Sequence, residues 1–250
     1  MPEGYCTIPD VRRALQESVD EFDSGAWGAA SHQVVVDAIT AQTEPLEKEL
    51  KRHWYEPDGI DEDEQGLIPT QPKERDDEED IPTAAAFIAD EDGPVPKTSQ
   101  GDYAKIDLAR RDADSVSTLL VRTADGSYED WTQEYAGGTW PDAVGDDYYL
   151  RVNNGGWSRL YLDTMNLLEA DEDDEYVLES FANAVYVTWT YGHEGIPQNV
   201  RRAVAFRAGA ELLMDDQANL AIPEDSQLVS AESKKQAMED KADDLLEVYR

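Results

Sequence analysis

Val185-Tyr186-Val187-Thr188-Trp189-Thr190-Tyr191-Gly192-His193-Glu194-Gly195-Ile196-Pro197-Gln198-Asn199-Val200 decides how this chain is organised, because the hydrophobic period changes inside it. From Val185 to Tyr191 the pattern alternates with period two, the mark of a strand. A short turn follows, and Pro197 suits the first turn of a helix, where a missing N–H costs no helical bond. Val200, Val204, Ala208 and Leu212 then recur four apart on one face. Ala203, Gly209 and Ala210 leave room for close helix packing. A β region therefore ends here and a helical one begins.

Working outward, residues 83–191 carry the strand signals. Val116 to Arg122 is a β-branched run ending at the turn Ala124-Asp125-Gly126. Asp147 to Val152 leads through Asn153-Asn154-Gly155-Gly156 into Trp157 to Leu162, and Asn-Gly between two aromatic-rich runs predicts a hairpin. Short strands at this spacing predict an antiparallel sheet or small barrel.

The flanks read as helix. Pro9 to Leu15 predicts a short helix with Ile8 at the N-cap position, followed by a break at Ser24, Gly25 and Gly28. Ser31 is placed to cap a helix carrying Val34, Val35, Ala38, Ile39 and Gln42 on one face. Pro45 is expected to kink or restart it, so 31–54 reads as one long helix or a broken pair. After Pro223, a last helix beginning near Ser230 aligns Ala231, Met238, Ala242, Leu245 and Tyr249.

Residues 57–81 differ from both. They hold eleven Asp or Glu against two Lys or Arg, and have almost nothing to bury except Leu67 and Ile68. That composition predicts a solvated loop or flexible arm. The expected fold class is α+β: a helical bundle scaffold built from N- and C-terminal helices, with an inserted antiparallel β domain. The expected spans are 1–56 (helical), 57–82 (acidic loop or arm), 83–191 (β) and 192–250 (helical).

Acidic residues outnumber basic ones 56 to 21 over 250 residues, a formal charge of −35, and Arg outnumbers Lys. The carboxylates are spread along the chain, and six Trp with twelve Tyr argue against wholesale disorder. Self-repulsion on this scale opposes compaction in dilute buffer. At molar salt the Debye length falls to about 3 Å and most of it is screened. The economical expectation is a protein of a salt-loaded cytoplasm. Free duplex DNA is a poor partner for this surface, since Arg12–Arg13, Arg110–Arg111 and Arg201–Arg202 are isolated basic pairs. A lone Cys6 excludes an intramolecular disulfide, and neither a signal peptide nor a membrane span is visible.

Catalytic and metal motifs are weak. Asp61 to Glu64 and Asp171 to Glu175 read as hydrated charge runs rather than catalytic pairs. Asp61, Asp63, Gln65 and Gly66 open like a calcium loop, but its twelfth position is Pro72. His32, His53 and His193 lie far apart without cysteines at ligand spacing, so no metal or cofactor site is expected. Phosphate-binding, dinucleotide and nucleophile-elbow motifs do not occur. The chain is expected not to be an enzyme. Trp131, Trp140 and Trp157, with Tyr128, Tyr135, Tyr148 and Tyr149, are expected mostly in the core, with one or two rings at an interface.

The run from Val185 to Val200 resembles the strand, turn and helix of head–tail connector (adaptor) proteins of tailed viruses, and Ala203, Ala205, Ala208 and Leu212 continue the likeness. Ile8 to Leu15, with the helix after Ser31, is similar to that family's N-terminal half. The resemblance covers about a third of the chain; the long β region and the acidic segment depart from it. It implies a structural virion protein in the neck between capsid and tail, assembled in the host cytoplasm. It implies a homo-oligomeric ring, usually twelve-fold, that binds the portal and a tail or second neck protein. DNA would pass through the channel without specific binding, and no membrane is involved. Leu245, Leu246, Val248 and Tyr249 become candidate portal contacts. Val200, Val204, Ala208, Leu212, Val35 and Ile39 become candidate contacts between subunits. The rival readings are a carbohydrate-binding β module on a helical mount and a hydrolase using paired carboxyls.

Overall fold

The computed structural model describes residues 2–16, 32–79, 87–90, 93–96, 103–122, 127–163, 185–214 and 226–250. The expected features at Ser24 to Gly28, Ser31, Ala124 to Gly126, Asp171 to Glu175 and Pro223 lie outside them. Helices and antiparallel and mixed sheets are both present, so the protein is α+β. It divides into two compact units, one of Met1–Pro72 with His193–Arg250, the other of Lys73–Gly192.

In the first unit, α1 (Ile8–Leu15) is capped by Thr7 rather than by Ile8, which takes the first helical position. A hydroxyl and a nearby carboxylate make the better cap, and Asp10 accepts from the Thr7 N–H at 3.0 Å and its hydroxyl at 2.9 Å. α2 (His32–Leu50) runs through Pro45 as a single helix. The lost helical bond and ring clash cost about 3 kcal/mol. Burial of Leu46 and Leu50 beyond the proline, worth about 1.5–3 kcal/mol each, offsets that. β1 (Trp54–Tyr55) pairs in parallel with β12 (His193–Glu194), which ties the two stretches of this unit together.

α4 (Gln198–Leu212) packs against α1, α2 and α5 (Ser226–Leu246), and the chain ends in a 3₁₀ turn, Glu247–Tyr249. Gly209 permits the α4–α5 approach: a Cβ there would stand 2.6 Å from Met238 Cε and 3.4 Å from Leu15 Cδ2. Trp54 is fully buried, with Tyr5 edge-on at 5.4 Å and Tyr249 at 6.1 Å.

The second unit holds two four-stranded sheets. One has the order β2 (Lys73–Glu79), β11 (Val185–Tyr191), β6 (Ala113–Arg122), β7 (Tyr128–Asp130) and is antiparallel throughout. The other has the order β5 (Tyr103–Asp107), β10 (Ser158–Asp163), β9 (Tyr148–Val152), β8 (Gly137–Thr139), its β8–β9 pair being parallel. A short helix, α3 (Trp131–Glu134), follows β7, and β3 (Phe87–Asp90) pairs with β4 (Gly93–Pro96) as a separate hairpin. Leu119, Val121, Val185, Val187 and Trp189 of one sheet share a single core with Ile106, Leu150, Leu160 and Leu162 of the other. The β9–β10 connection is held by Asn153, whose side-chain oxygen accepts from the Gly155 and Trp157 N–H groups.

A second expectation is corrected here. The acidic stretch 57–82 is not loop throughout, because Lys73–Glu79 is strand β2, in register with the whole of β11 from Val185↔Glu79 to Tyr191↔Lys73. Backbone groups make that ladder whatever the side chains are, and β11 would otherwise leave a row of buried donors and acceptors unpaired. Charged side chains also suit β2 as an edge strand, where they discourage pairing with another chain. The preceding part, 57–72, is a series of turns pinned by buried Leu67 and Ile68, with Leu67 accepting from the Gly4 N–H at 2.8 Å.

Candidate functional site

The six residues expected between subunits face inward. Val35, Ile39, Val200, Val204, Ala208 and Leu212 are buried in the core of the helical unit of one chain. The four-residue period reported an apolar stripe correctly, but α1, α2 and α5 cover it within the subunit. They are core, and a contact between copies has to use other surface.

The four C-terminal candidates divide. Leu246 is fully buried and belongs to the core, which removes it from any outside contact. Leu245 and Tyr249 are partly buried against that core, Tyr249 through its edge contact with Trp54. Val248 is 81% exposed and stands free of the core. Only this last residue offers an uncovered apolar side chain at the C-terminus.

In the β unit, Trp131 and Tyr148 are core. Tyr103, Tyr149 and Tyr161 gather on the opposite face of the β5–β10–β9–β8 sheet, with Tyr149 and Tyr161 stacked at 4.6 Å. Among the described residues the exposed rings are Tyr128, Trp140 and Trp157, three where one or two were expected. Arg151 lies over Trp140 at 4.9 Å and Arg111 over Trp157 at 4.1 Å, so each indole has a guanidinium on one face.

No protein-family model, curated protein or solved structure matches this chain. Its own geometry therefore has to carry the functional reading.

Two polar networks lie in the helical unit. In the first, Asp10 of α1 accepts from Arg201 Nε at 2.5 Å and Arg13 Nη1 at 3.0 Å, and both arginines reach Glu62. This binds α1, the 57–72 turns and α4. In the second, buried Tyr5, Glu47 and His53 form a triangle. Tyr5 Oη donates to Glu47 Oε1 at 2.5 Å; His53 Nδ1 lies 2.9 Å from that oxygen and 3.0 Å from Tyr5 Oη. Burial, then the charge of Glu47, drives the Tyr5 phenol far above its ordinary range, so it keeps its proton.

These residues were not found from sequence. Tyr5 and His53 are far apart along the chain, and spacing rules see only local ligand pairs. The turn residue Asp63 spends one carboxylate oxygen on the Ile68 N–H at 2.7 Å, so the abortive calcium loop serves as a turn. Cys6 is fully buried, and burial pushes its thiol well above the ordinary range.

Proposed function

We propose that this chain is the repeating subunit of a head–tail connector ring of a tailed virus, working in a salt-loaded host. On this reading the helical unit is the scaffold and the β unit an insertion. The ring sits in the virion neck, binds the portal on one side and a tail or second neck protein on the other, and continues the DNA channel. The observation that carries the reading is the union of the two chain ends in one helical unit. The run Val185 to Leu212, the one that resembles connectors, leads into that unit as strand, turn and helix.

Because the six stripe residues are core, ring contacts use polar and isolated apolar surface instead. Among the described residues the uncovered apolar groups include Val248, Met214, Val144 and the exposed Trp rings. Contact between copies across charged faces is compatible with molar salt, where like charges beyond about 3 Å hardly feel each other. Exposed Val248 becomes the residue assigned to the portal.

Negative-stain imaging in molar potassium chloride tests this directly. Closed rings, with class averages giving their order, are the expected result, and removal of 247–250 should abolish portal binding while rings persist. A single compact subunit at every concentration and salinity overturns the reading. The rival carbohydrate module draws on Trp140 and Trp157; a monomer whose Trp fluorescence responds to an oligosaccharide would establish it.

A further inference from the structure

In the helical unit, carboxylates hold Arg13 and Arg201 through Asp10 and Glu62, and Arg207 and Arg250 through Glu49 and Asp243. With 56 acidic residues against 21 basic ones, that is what abundance dictates. Arg202 of α4 and Lys241 of α5 depart from it side by side. Among the described residues neither has a carboxylate within ion-pair distance; even Asp244, one turn along α5, does not pair with Lys241. Both lie instead over one ring, Phe206, at 6.0 and 5.2 Å from its centroid. The two cations are exposed, and Phe206 is half-buried against the core of the unit.

Covering a ring does not require two cations. An exposed cation–π contact contributes about 0.5–1 kcal/mol and uses one; a second like charge at the same ring adds repulsion. The seam between α4 and α5 shows the alternative. Lys241 and Asp243, two residues apart on α5, lie on opposite flanks of that helix. On the flank of Asp243, Arg207 is closed within the subunit by Glu49 and Asp243. On the flank of Lys241, the donors of Arg202 and Lys241 face outward with no anion to hold. A guanidinium presents five N–H groups in a planar fork that matches a carboxylate.

We propose that Arg202, Phe206 and Lys241 form a docking surface for an acidic face of a second copy of this chain, an inference that rests on the ring reading above. Charge selects the partner: a copy with a formal charge of −35 carries far more carboxylates than its own cations can hold. Placing the patch against itself across a two-fold axis would bring four cations together. The contact therefore joins unlike faces, basic to acidic, and such head-to-tail contacts close into a ring when the rotation per copy allows. Charge-assisted bonds of about 2.7–2.9 Å lie within the screening length of about 3 Å at molar salt, so they persist where repulsion between whole copies is damped.

The test is sedimentation velocity on the full chain in about 2 M potassium chloride, over a series of protein concentrations. Wild type is expected to associate. Arg202→Glu with Lys241→Glu should weaken association by about tenfold or more. Its Tm at the lowest concentration should stay within about 3 °C of wild type, as for other exposed substitutions. Arg12→Glu with Arg122→Glu carries the same net charge and should associate like wild type. If charge reversal unfolds the chain, Arg202→Gln with Lys241→Gln puts the same question, and weakened association is again expected. A patch variant that associates as tightly as wild type, or a control that dissociates as far as the patch variant, overturns the docking surface and leaves the ring reading standing. A wild type that never associates overturns both.

Discussion

The contact between Gly4 and Ile39 allows the inward role of the apolar stripe to be tested by a double-mutant cycle. A Cβ built on Gly4 would stand 2.5 Å from Ile39 Cγ2, about 1 Å inside van der Waals contact. Gly4→Ala therefore overpacks the core, at about 1–3 kcal/mol. Ile39 is fully buried, so Ile39→Ala leaves a cavity costing about 2–5 kcal/mol. In the double variant the methyl introduced by Gly4→Ala enters the space that Cγ2 vacates. The clash disappears and part of the cavity is filled, so the pair should cost about 1–2 kcal/mol less than the sum of the singles.

At about 4 °C per kcal/mol for a unit of this size, Ile39→Ala alone should lower Tm by about 12 °C at a mid-range cost of about 3 kcal/mol. Far-UV circular dichroism melts in molar salt give the four Tm values, and each is repeated at a protein concentration about a hundredfold lower. Core residues lose the same stability at both concentrations. Residues buried between copies would lose it through dissociation, with strong dependence on concentration. Additive single effects, or a loss confined to dilution, would refute both the packing and the assignment of Ile39 to the core.

Three further outcomes are expected. Asp10→Ala removes the acceptor shared by Thr7, Arg13 and Arg201 and should cost about 2–3 kcal/mol in urea unfolding; a loss under about 0.5 kcal/mol would show that the network does not stabilise the fold. Asp243 is held below the ordinary carboxylate range, first by its hydrogen bond from Arg207 and further by the charges of Arg207 and Arg250. Its contribution is complete above the ordinary Asp pKa of about 3.9 and is lost as pH falls through the lowered folded value, so Arg207→Met should move its NMR titration midpoint upward, and an unmoved midpoint would refute the cause. Raising potassium chloride from about 0.1 to about 2 M should raise Tm, and a fall would contradict the screening argument.

How much of this was legible depended on whether the signal was local. Val185 to Tyr191 and the helix from Gln198 could be read because period two and period four are visible within a few residues, and the β9–β10 hairpin because Asn-Gly marks its turn. The same periodicity says that a face is buried and not what buries it, which is why Val200 and Ile39 were assigned to a neighbour instead of to α1, α2 and α5. Strand β2 was hidden by its charges: Lys73–Glu79 has no strand-like side-chain pattern, and only the demand of β11 for a second partner makes it one. The Glu47–His53 site was hidden by distance, since its third side, Tyr5, comes from the opposite end of the segment.

The charge pattern, finally, is better understood from where the arginines sit than from the total. In the helical unit Arg13 and Arg201 each bridge Asp10 and Glu62, while Arg207 and Arg250 each bridge Glu49 and Asp243. Four guanidiniums thus join carboxylates from segments distant in sequence, at separations of 2.5–3.4 Å. An exposed pair taken singly is worth about 0–1 kcal/mol, but shared carboxylates make these into networks. In molar salt the screening length, about 3 Å, matches those contacts, while repulsion over longer distances is damped. The same medium that erases the long-range repulsion of a −35 chain therefore leaves its contact pairs largely in place. Lysine would supply the charge as a single point and lose the forked reach to two partners, so exchanging any of the four for lysine should cost cross-linking without changing net charge.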